Sequence, residues 1–197
     1  MEYLELLDRE ILLTINSLHN PFLDKLLYAM TSILFWIPFI ALAIWILWKY
    51  YQKKILLIIA FFALSLVFTD QSSGFIKDTV QRYRPSHNLE IQDKVHLHQN
   101  ADGSVYRGGK YGFVSSHAAN SFGWVVLFIY FFYPITKKWL FLFPLCAIIF
   151  CYTRIYLAVH YPSDVLCGAI LGILCGIFCL YLYKTSIRRI EEQSTNS

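Results

Sequence analysis

Three short segments of the chain combine cationic, hydroxyl, imidazole and carboxylate side chains that suit phosphoryl chemistry. They are KDTVQRYRP at 77–85, VSSHAAN at 114–120 and TRIYLAVHYPSD at 153–164. Lys77, Arg84 and Arg154 supply three cations, of which the arginines can bind phosphate oxygens bidentately. If the segments converge, these cations would stabilise the charge on the equatorial oxygens during phosphoryl transfer. We therefore expect no metal ion or other cofactor.

Two histidines and a carboxylate provide the groups for a displacement reaction. Asp164 follows His160 by four residues, so its carboxylate can orient one imidazole nitrogen and leave the other as a nucleophile. His117 lies in the first turn of an apolar segment that Ser115 or Ser116 can cap, where a bound anion would favour its protonated form. The pattern predicts that His160 attacks phosphorus, His117 protonates the leaving oxygen, and water hydrolyses the phosphohistidine.

Each segment taken alone also fits an ordinary structural role. Lys77 and Arg84 would face the same way on a helix that ends at Pro85, because seven residues turn about 20° less than two full turns, so both could reach one anion. Such cations also snorkel to a membrane interface. Asp164 could simply complement a helix N-terminus. The catalytic hypothesis therefore depends on the three segments meeting in space.

The composition indicates that membrane helices position these segments. Hydrophobic residues make up 57% of the 197 positions, charged residues make up 15%, and the mean hydropathy is +0.48. A soluble globule of this size would need more charge. The formal net charge is +4, but the cations form short clusters rather than a continuous stripe. Nucleic acid is therefore not an expected partner.

Stretches almost free of charged residues predict five transmembrane helices, since about 20 apolar residues span a bilayer. They are 26–48, 55–77, 117–136, 139–153 and 165–183. Leu4, Leu7, Ile11 and Ile15 recur at helical spacing, which predicts an amphipathic helix lying on the membrane within residues 1–20. The acidic start of the chain does not suggest a cleavable signal peptide.

These elements predict an all-α fold class, namely a polytopic membrane helix bundle of five transmembrane helices plus the N-terminal interfacial helix. We expect a single membrane domain over 1–197 that carries the phosphoryl chemistry, with an extramembrane loop at 86–114 and a polar, disordered tail at 191–197. The glycines of the loop suggest that it could act as a lid or collar.

The distribution of cations predicts the orientation of the bundle. Under the positive-inside rule, the eight cations that follow the first, third and fifth spans mark the cytoplasmic side. They are Lys49, Lys53, Lys54, Lys137, Lys138, Lys184, Arg188 and Arg189. Seven further cations follow the second and fourth spans, so the two sides carry nearly equal numbers. The positive-inside rule assigns this orientation only if some of the seven belong to a binding site and do not act as topological signals. The three chemical segments then share the extracytoplasmic face.

Several small or polar residues in the spans have structural interpretations. Gly168, Gly172 and Gly176 form a smooth face that favours close packing on a helix of the same chain, with a homodimer contact as the weaker alternative. Asp70 could pair with Lys77 or a capping serine, or could hydrogen-bond between helices. The five cysteines have no CxxC spacing and predict packed apolar residues rather than disulfides.

His96 and His98 form an HxH pair in the loop. The loop offers them no carboxylate or cysteine partners at fitting spacing, so a metal site is not expected there.

The three segments together resemble the signature of the type 2 phosphatidic acid phosphatase and vanadium haloperoxidase superfamily. That signature has a lysine separated by six residues from Arg-Pro, then Pro-Ser-Gly-His, then Ser-Arg with a histidine six positions on and an aspartate four beyond. This chain has Lys77 with Arg84 and Pro85, then VSSH at 114–117, then TRIYLAVHYPSD at 153–164. Spacing of this kind is more specific than a lone short motif.

The resemblance implies a role for each matched residue. His160 would be the nucleophile, Asp164 its partner, His117 the acid, and the phosphate ligands would be Lys77, Arg84, Ser115 and Arg154. The chain departs from the signature at Val114, Ser116 and Thr153, where the family has Pro, Gly and Ser. Ser116 either caps from a different turn or adds a hydroxyl contact, and it joins the phosphate-binding candidates.

The resemblance also implies a multi-pass lipid phosphatase in a bacterial inner membrane, with its active site on the extracytoplasmic face. Its expected partners are the phosphorylated lipid substrate and the surrounding membrane lipids. Small bacterial members suggest undecaprenyl diphosphate, phosphatidylglycerol phosphate, phosphatidic acid or lipid A as substrate. The alternatives are a lipid phosphotransferase that uses the same histidine, and a non-catalytic lipid-phosphate binding or transport protein.

Overall fold

The protein is built from helices, as the computed structural model shows for residues 2–100 and 102–195. The helices are α1 (Glu2–Asn16), α2 (Pro21–Ala29), α3 (Ile33–Tyr51), α4 (Ile55–Val80), α5 (Ser116–Phe132), α6 (Leu142–Tyr156) and α7 (Pro162–Thr195), with 3-10 turns at Gln52–Lys54 and Pro85–His87. Extended pairing within the described ranges is limited to two isolated bridges in the long α4–α5 loop. The all-α prediction is confirmed.

The helices α4 to α7 run alternately up and down, so their ends collect the chemical segments at one end of the bundle. Two helical runs, Ile33–Val80 and Pro162–Gln193, are long and apolar enough to cross a membrane, and the first contains both α3 and α4. The apolar helices α5 and α6 have only 17 and 15 residues. The number of five spans stays a prediction.

Two predicted helix boundaries were wrong, and each error has a local cause. The span predicted at 26–48 is divided, because the chain leaves α2 after Ala29 and restarts at Ile33, where the hydroxyl of Ser32 accepts an N-cap hydrogen bond from the N–H of Leu34. The second span ends at Val80, where Gln81 adopts a left-handed conformation and its N–H caps the carbonyl of Lys77. Arg84 therefore lies in the loop and does not share a helix face with Lys77.

The glycine face of α7 packs on α5 within the same chain. A Cβ atom at Gly172 would lie 2.1 Å from the carbonyl oxygen of Ala119, and Gly168 and Gly176 approach the α5 backbone in the same way. The interpretation as intramolecular packing therefore fits the structure. The weaker alternative of a homodimer through these glycines stays a prediction.

The other end of the bundle holds the main apolar core. It is formed by residues of α3, α4, α5 and α7, namely Leu47, Ile58, Phe61, Phe62, Leu127, Phe131, Phe132, Cys179 and Tyr183. Lys54 and Glu191 pair at this end, 3.4 Å apart. The five cysteines are all free.

The N-terminal helix α1 lies across the end of the bundle that carries the chemical segments. Leu12 is fully buried against Ile91 and Tyr161. On the opposite side, Leu4 and Leu7 are 67% and 40% exposed. The helix thus turns most of its large apolar side chains outward, which is the arrangement that an interfacial helix requires.

The C-terminal segment differs from the predicted disordered tail. The last helix, α7, continues through Thr195, so 191–195 are helical, and residues 196 and 197 lie outside the described part of the chain. Glu191 and Glu192 stand one helical turn or less from Arg188 and Arg189, a charge pattern that supports helix continuation.

Candidate active site

His160 and Asp164 form a buried pair at the junction between α6 and α7. Neither side chain is exposed, and Nδ1 of His160 lies 3.6 Å from Oδ2 of Asp164. The predicted position of Pro162 in the first turn of α7 explains the local geometry. Asp164 sits at the third helical position, and its Oδ2 accepts a 2.9 Å hydrogen bond from the N–H of Tyr161, half of a capping box.

The second oxygen of the Asp164 carboxylate is held by a residue that sequence reasoning missed. Arg82 donates from one NH group to Oδ1 of Asp164 at 2.8 Å and from the other to Oδ2 of Asp8 at 2.8 Å. Arg82 lies inside the first segment, but the signature specifies Arg84, two positions further on. The sequence therefore predicted Arg84 and not Arg82 as a site residue. Asp8 belongs to α1, and no sequence pattern links it to the other segments.

The cations that the sequence singled out surround His160. Arg154 is 1% exposed and donates one hydrogen bond, from its NH2 group to the hydroxyl of Tyr106 at 2.9 Å. Its Nε and NH1 groups find no partner among the described residues. Arg84 donates to the backbone carbonyls of Tyr111 and Val159, at 3.0 and 3.2 Å. A buried guanidinium with unused donors is a ready partner for an anion.

Burial and neighbouring charge set the protonation state of His160. Desolvation comes first, and the charges of Arg84, Arg154 and Lys77 add to it, so the pKa of His160 falls well below its ordinary value of 6.5. The imidazole is therefore neutral at neutral pH and keeps a lone pair. Neither ring nitrogen has a hydrogen-bond partner within the described ranges. With Nδ1 directed at Asp164, Nε2 is the nitrogen available for attack.

The second segment caps helix α5 and brings His117 to the same site. Ser115 is the N-cap residue, and its hydroxyl accepts a hydrogen bond from the N–H of Ala118 at 3.4 Å. The N–H of Ser115 donates to the backbone carbonyl of Asp164 at 2.9 Å, which ties α5 to α7. His117 lies near enough to His160 and Arg154 for their charges to act on it.

Ser116, which replaces the glycine of the signature, contacts the first segment directly. Its hydroxyl accepts a hydrogen bond from Nζ of Lys77 and lies 2.7 Å from the hydroxyl of Ser73. Of the two sequence interpretations, the extra hydroxyl contact is therefore the one that this geometry favours, and the contact is to the lysine.

The remaining polar candidates have structural partners. Asp70 accepts a 3.0 Å hydrogen bond from the side chain of Asn120, which joins α4 to α5. His96 lies 2.9 Å from a carboxylate oxygen of Asp24, and His98 stacks on Tyr28. Within the described ranges, no group of three or more His, Cys, Asp or Glu side chains has the geometry to hold a metal ion.

The loop between α4 and α5 folds back over the site. Asn16 of α1 holds the loop by exchanging hydrogen bonds with the backbone of His96, at 2.7 and 2.8 Å. Tyr83 and Tyr111 form an antiparallel bridge across the base of the loop. The predicted loop is thus a packed cover, and it supplies Tyr106 to Arg154.

Two sequence relatives match nearly the whole chain. A lipid A 4'-phosphatase from Bacteroides thetaiotaomicron is 38% identical over 193 residues, which are 95% of this chain and 82% of the relative. A lipid A 4'-phosphatase from Porphyromonas gingivalis is 32% identical over 190 residues, which are 94% of this chain and 78% of the relative.

Two solved structures share the fold. The crystal structure of Aquifex aeolicus LpxE has a TM-score of 0.68 at 23% identity and covers 89% of this chain and 95% of its own. The first transmembrane PAP2 type phosphatidylglycerolphosphate phosphatase from Bacillus subtilis has a TM-score of 0.67 at 19% identity. That match covers 94% of this chain and 88% of its own.

The family assignment follows from the sequence profile together with these relatives. The PAP2 superfamily profile matches residues 54–188, which include all three chemical segments. The resemblance drawn from the residues is thereby confirmed, and the chain belongs to the PAP2 superfamily.

Proposed function

We propose that this protein is a membrane lipid phosphatase, and that its substrate is a phosphorylated glycolipid of the lipid A type. One observation carries the proposal. His160 is fully buried beside Asp164, its Nε2 has no partner in the described part of the chain, and three cations act on it. This set can bind a tetrahedral phosphate and, with His117 as the acid, displace its leaving group.

The reaction that fits this set proceeds in two steps. Nε2 of His160 attacks phosphorus in line, the bond from phosphorus to the lipid oxygen breaks, and His117 donates a proton to that oxygen. Water then attacks phosphorus and gives a proton back to His117, and the phosphorus–nitrogen bond breaks to release inorganic phosphate and neutral His160. Lys77, Arg84 and Arg154 stabilise the equatorial oxygens, so the chemistry needs no metal ion.

The choice of lipid A among the candidate substrates is supported by the relatives. Both named relatives are lipid A 4'-phosphatases that are more than 30% identical and match 94% or more of this chain. Undecaprenyl diphosphate, phosphatidylglycerol phosphate and phosphatidic acid are the competing substrates that the comparison must include.

A membrane location is supported by the outer surface of the helices. Large apolar side chains face outward along the helices, including Phe39, Leu56, Phe75 and Leu166, which are 57%, 77%, 74% and 64% exposed. Apolar surface on this scale is typical of contact with lipid tails. We propose a single multi-pass domain with five spans, and a site at the extracytoplasmic membrane surface where lipids arrive laterally.

The test is phosphate release by the protein purified in detergent with a chelator. Lipid A, phosphatidic acid, phosphatidylglycerol phosphate and undecaprenyl diphosphate are supplied separately. We expect lipid A to give the highest kcat/KM and His160→Ala to release no phosphate. The exposed His19, changed to Ala, serves as the control. An active His160→Ala variant overturns the assignment of His160 as the nucleophile. Labelled phosphate that appears on a second lipid rather than in solution indicates a phosphotransferase.

A further inference from the structure

One carboxylate of the N-terminal helix reaches the back of the catalytic pair. The side chain of Asp8 is 8% exposed, although it lies on the polar side of a helix at the surface. It accepts hydrogen bonds from the N–H of Ser163 at 2.8 Å and from the hydroxyl of Ser163. Asp8 therefore supplies an acceptor for one of the free N–H groups at the start of α7.

Arg82 links this carboxylate to the catalytic one. Its guanidinium lies between Asp8 and Asp164, at 2.8 Å from each, and 4.1 Å above the ring of Tyr161. It also donates to the hydroxyl of Ser163 at 2.7 Å. These bonds place the guanidinium on Oδ1 of Asp164, whereas Oδ2 faces Nδ1 of His160. Arg82 thus acts on the carboxylate and not on the phosphate.

The arrangement removes the freedom of the Asp164 carboxylate to rotate. Oδ1 is fixed by Arg82 and Oδ2 by the N–H of Tyr161, which leaves Oδ2 facing Nδ1 of His160. A carboxylate that is held at both oxygens keeps the imidazole in one tautomer and one orientation. Two buried carboxylates share one guanidinium here, so removal of Arg82 leaves both carboxylates without the cation that they share.

Both residues lie outside the assignments made for the family signature. Asp8 and helix α1 precede residues 54–188, the segment that the superfamily profile matches. Arg82 occupies one of the six unspecified positions between Lys77 and Arg84. The support that they give to Asp164 therefore lies outside the residues that the signature specifies.

We propose that Asp8 and Arg82 are positioning residues, which hold Asp164 in place and make helix α1 part of the catalytic apparatus. The proposal rests on the proposed phosphatase function. It predicts a loss of turnover rather than a loss of phosphate binding when either residue is changed, because neither touches the substrate phosphate.

The variants are Arg82→Gln, Arg82→Lys, Asp8→Asn and the double variant Asp8→Asn/Arg82→Gln. We expect Arg82→Gln to lower kcat about 10- to 100-fold, which is the effect of removing residues that orient metal-binding side chains in other proteins. KM and vanadate inhibition should change little. Arg82→Lys restores part of kcat, because it keeps the charge but cannot bond both carboxylates. Asp8→Asn has a smaller effect, since the amide still accepts from Ser163. The double variant loses no more than Arg82→Gln, since both changes act through one network.

Glu90→Gln is the matched control. Glu90 also pairs with α1, through Arg9, but its side chain is 67% exposed and none of its described hydrogen bonds reaches the catalytic pair. This variant removes a tether of α1 and should leave kcat unchanged. The melting temperature is measured for every variant, so that lost folding is separated from lost turnover.

Normal kcat in folded Arg82→Gln overturns the proposal. If Arg82→Gln does not fold, normal kcat in both Arg82→Lys and Asp8→Asn overturns it. A fall in kcat for Glu90→Gln equal to that for Asp8→Asn also overturns it, because general loosening of α1 would then account for the effect. A wild-type protein that releases no phosphate from any lipid overturns the proposed function itself.

Discussion

Nδ1 of His160 lies 3.6 Å from Oδ2 of Asp164, while the other oxygen of that carboxylate accepts a 2.8 Å hydrogen bond from Arg82. The first distance is longer than a hydrogen bond, as is common for catalytic pairs before substrate binds. The second fixes which oxygen faces the imidazole. The histidine is thus oriented by a carboxylate that is itself oriented.

This geometry predicts the effect of Asp164→Asn. Arg82 requires an acceptor, so the amide oxygen will face Arg82 and the amide NH2 will face Nδ1 of His160. The imidazole is then driven into the wrong tautomer, and we expect kcat to fall on the order of 10³- to 10⁴-fold, as in the serine protease triad. Phosphate release measures kcat, and vanadate inhibition should be retained. Turnover near the wild-type value would show that Nδ1 needs no acceptor.

Arg154 should contribute to phosphate binding through its two unpartnered donors. Arg154→Lys replaces a planar fork with a point charge, so we expect KM and the vanadate inhibition constant to rise about tenfold or more, since a hydrogen bond to a charged group contributes about 1.5–3 kcal/mol. Arg188→Lys, at the opposite end of the bundle, is the control. Equal vanadate inhibition of Arg154→Lys and the wild type would exclude Arg154 as a ligand.

The packing of α5 on α7 predicts a contrast between two glycines. A Cβ at Gly172 would meet the backbone oxygen of Ala119 at 2.1 Å, whereas one at Gly74 in α4 would meet nothing within 4 Å. Gly172→Ala should lower the free energy of unfolding by about 1–3 kcal/mol or more, as overpacking does. Gly74→Ala should be neutral or stabilising by up to about 1 kcal/mol, because alanine favours helix. Thermal unfolding in detergent measures both, and equal melting temperatures would contradict the close packing.

Replacement of Gly112 by alanine should change activity rather than stability. A Cβ there would lie 3.0 Å from Oδ2 of Asp164 and 3.1 Å from Cγ of Arg84, so it would displace both the carboxylate that orients His160 and a candidate phosphate ligand. We expect Gly112→Ala to lower kcat about tenfold or more, which corresponds to about 1.4 kcal/mol in the barrier. Gly109→Ala, with no neighbouring atom within 4 Å, is the matched control. Equal kcat values for the two variants would show that the loop moves to accommodate the added Cβ atom without disturbing the site.

The pH profile should report the environment of His160. Burial and three cations lower its pKa well below 6.5, so the nucleophile stays neutral as the pH falls through 6.5 and protonates only at more acidic pH. The acid limb of kcat/KM that belongs to His160 therefore lies below 6.5. Arg84→Gln removes one repelling charge and should move that limb to higher pH. An unchanged limb in this variant would contradict the direct effect of Arg84 on His160.

The same pKa shift also affects stability. A depressed pKa means that, as the pH falls, the unfolded chain binds a proton at His160 at a higher pH than the folded chain does. The stability associated with this group is therefore fully present above pH 6.5 and is lost as the pH falls towards the folded pKa. Thermal unfolding across this range, with His160→Ala as the comparison, measures the contribution.

The sequence by itself determined the features that depend on local chemistry. The helical class followed from the long apolar stretches, and the start of α7 followed from the rigid backbone of Pro162. An N-cap at Ser115 or Ser116 and the i to i+4 spacing of His160 and Asp164 were also readable, because capping and helix-turn geometry involve only neighbouring residues. The family signature rests on the same short spacings.

Only the tertiary structure decided which distant groups meet. Arg84 leaves the helix because 81–84 pairs with the far side of the loop, and Arg82 reaches Asp164 through the same excursion. Asp8 joins them from a helix more than 150 positions away from Ser163. Long-range pairing of this kind leaves no periodic trace in the sequence, since its energy comes from contacts that exist only after the helices have packed.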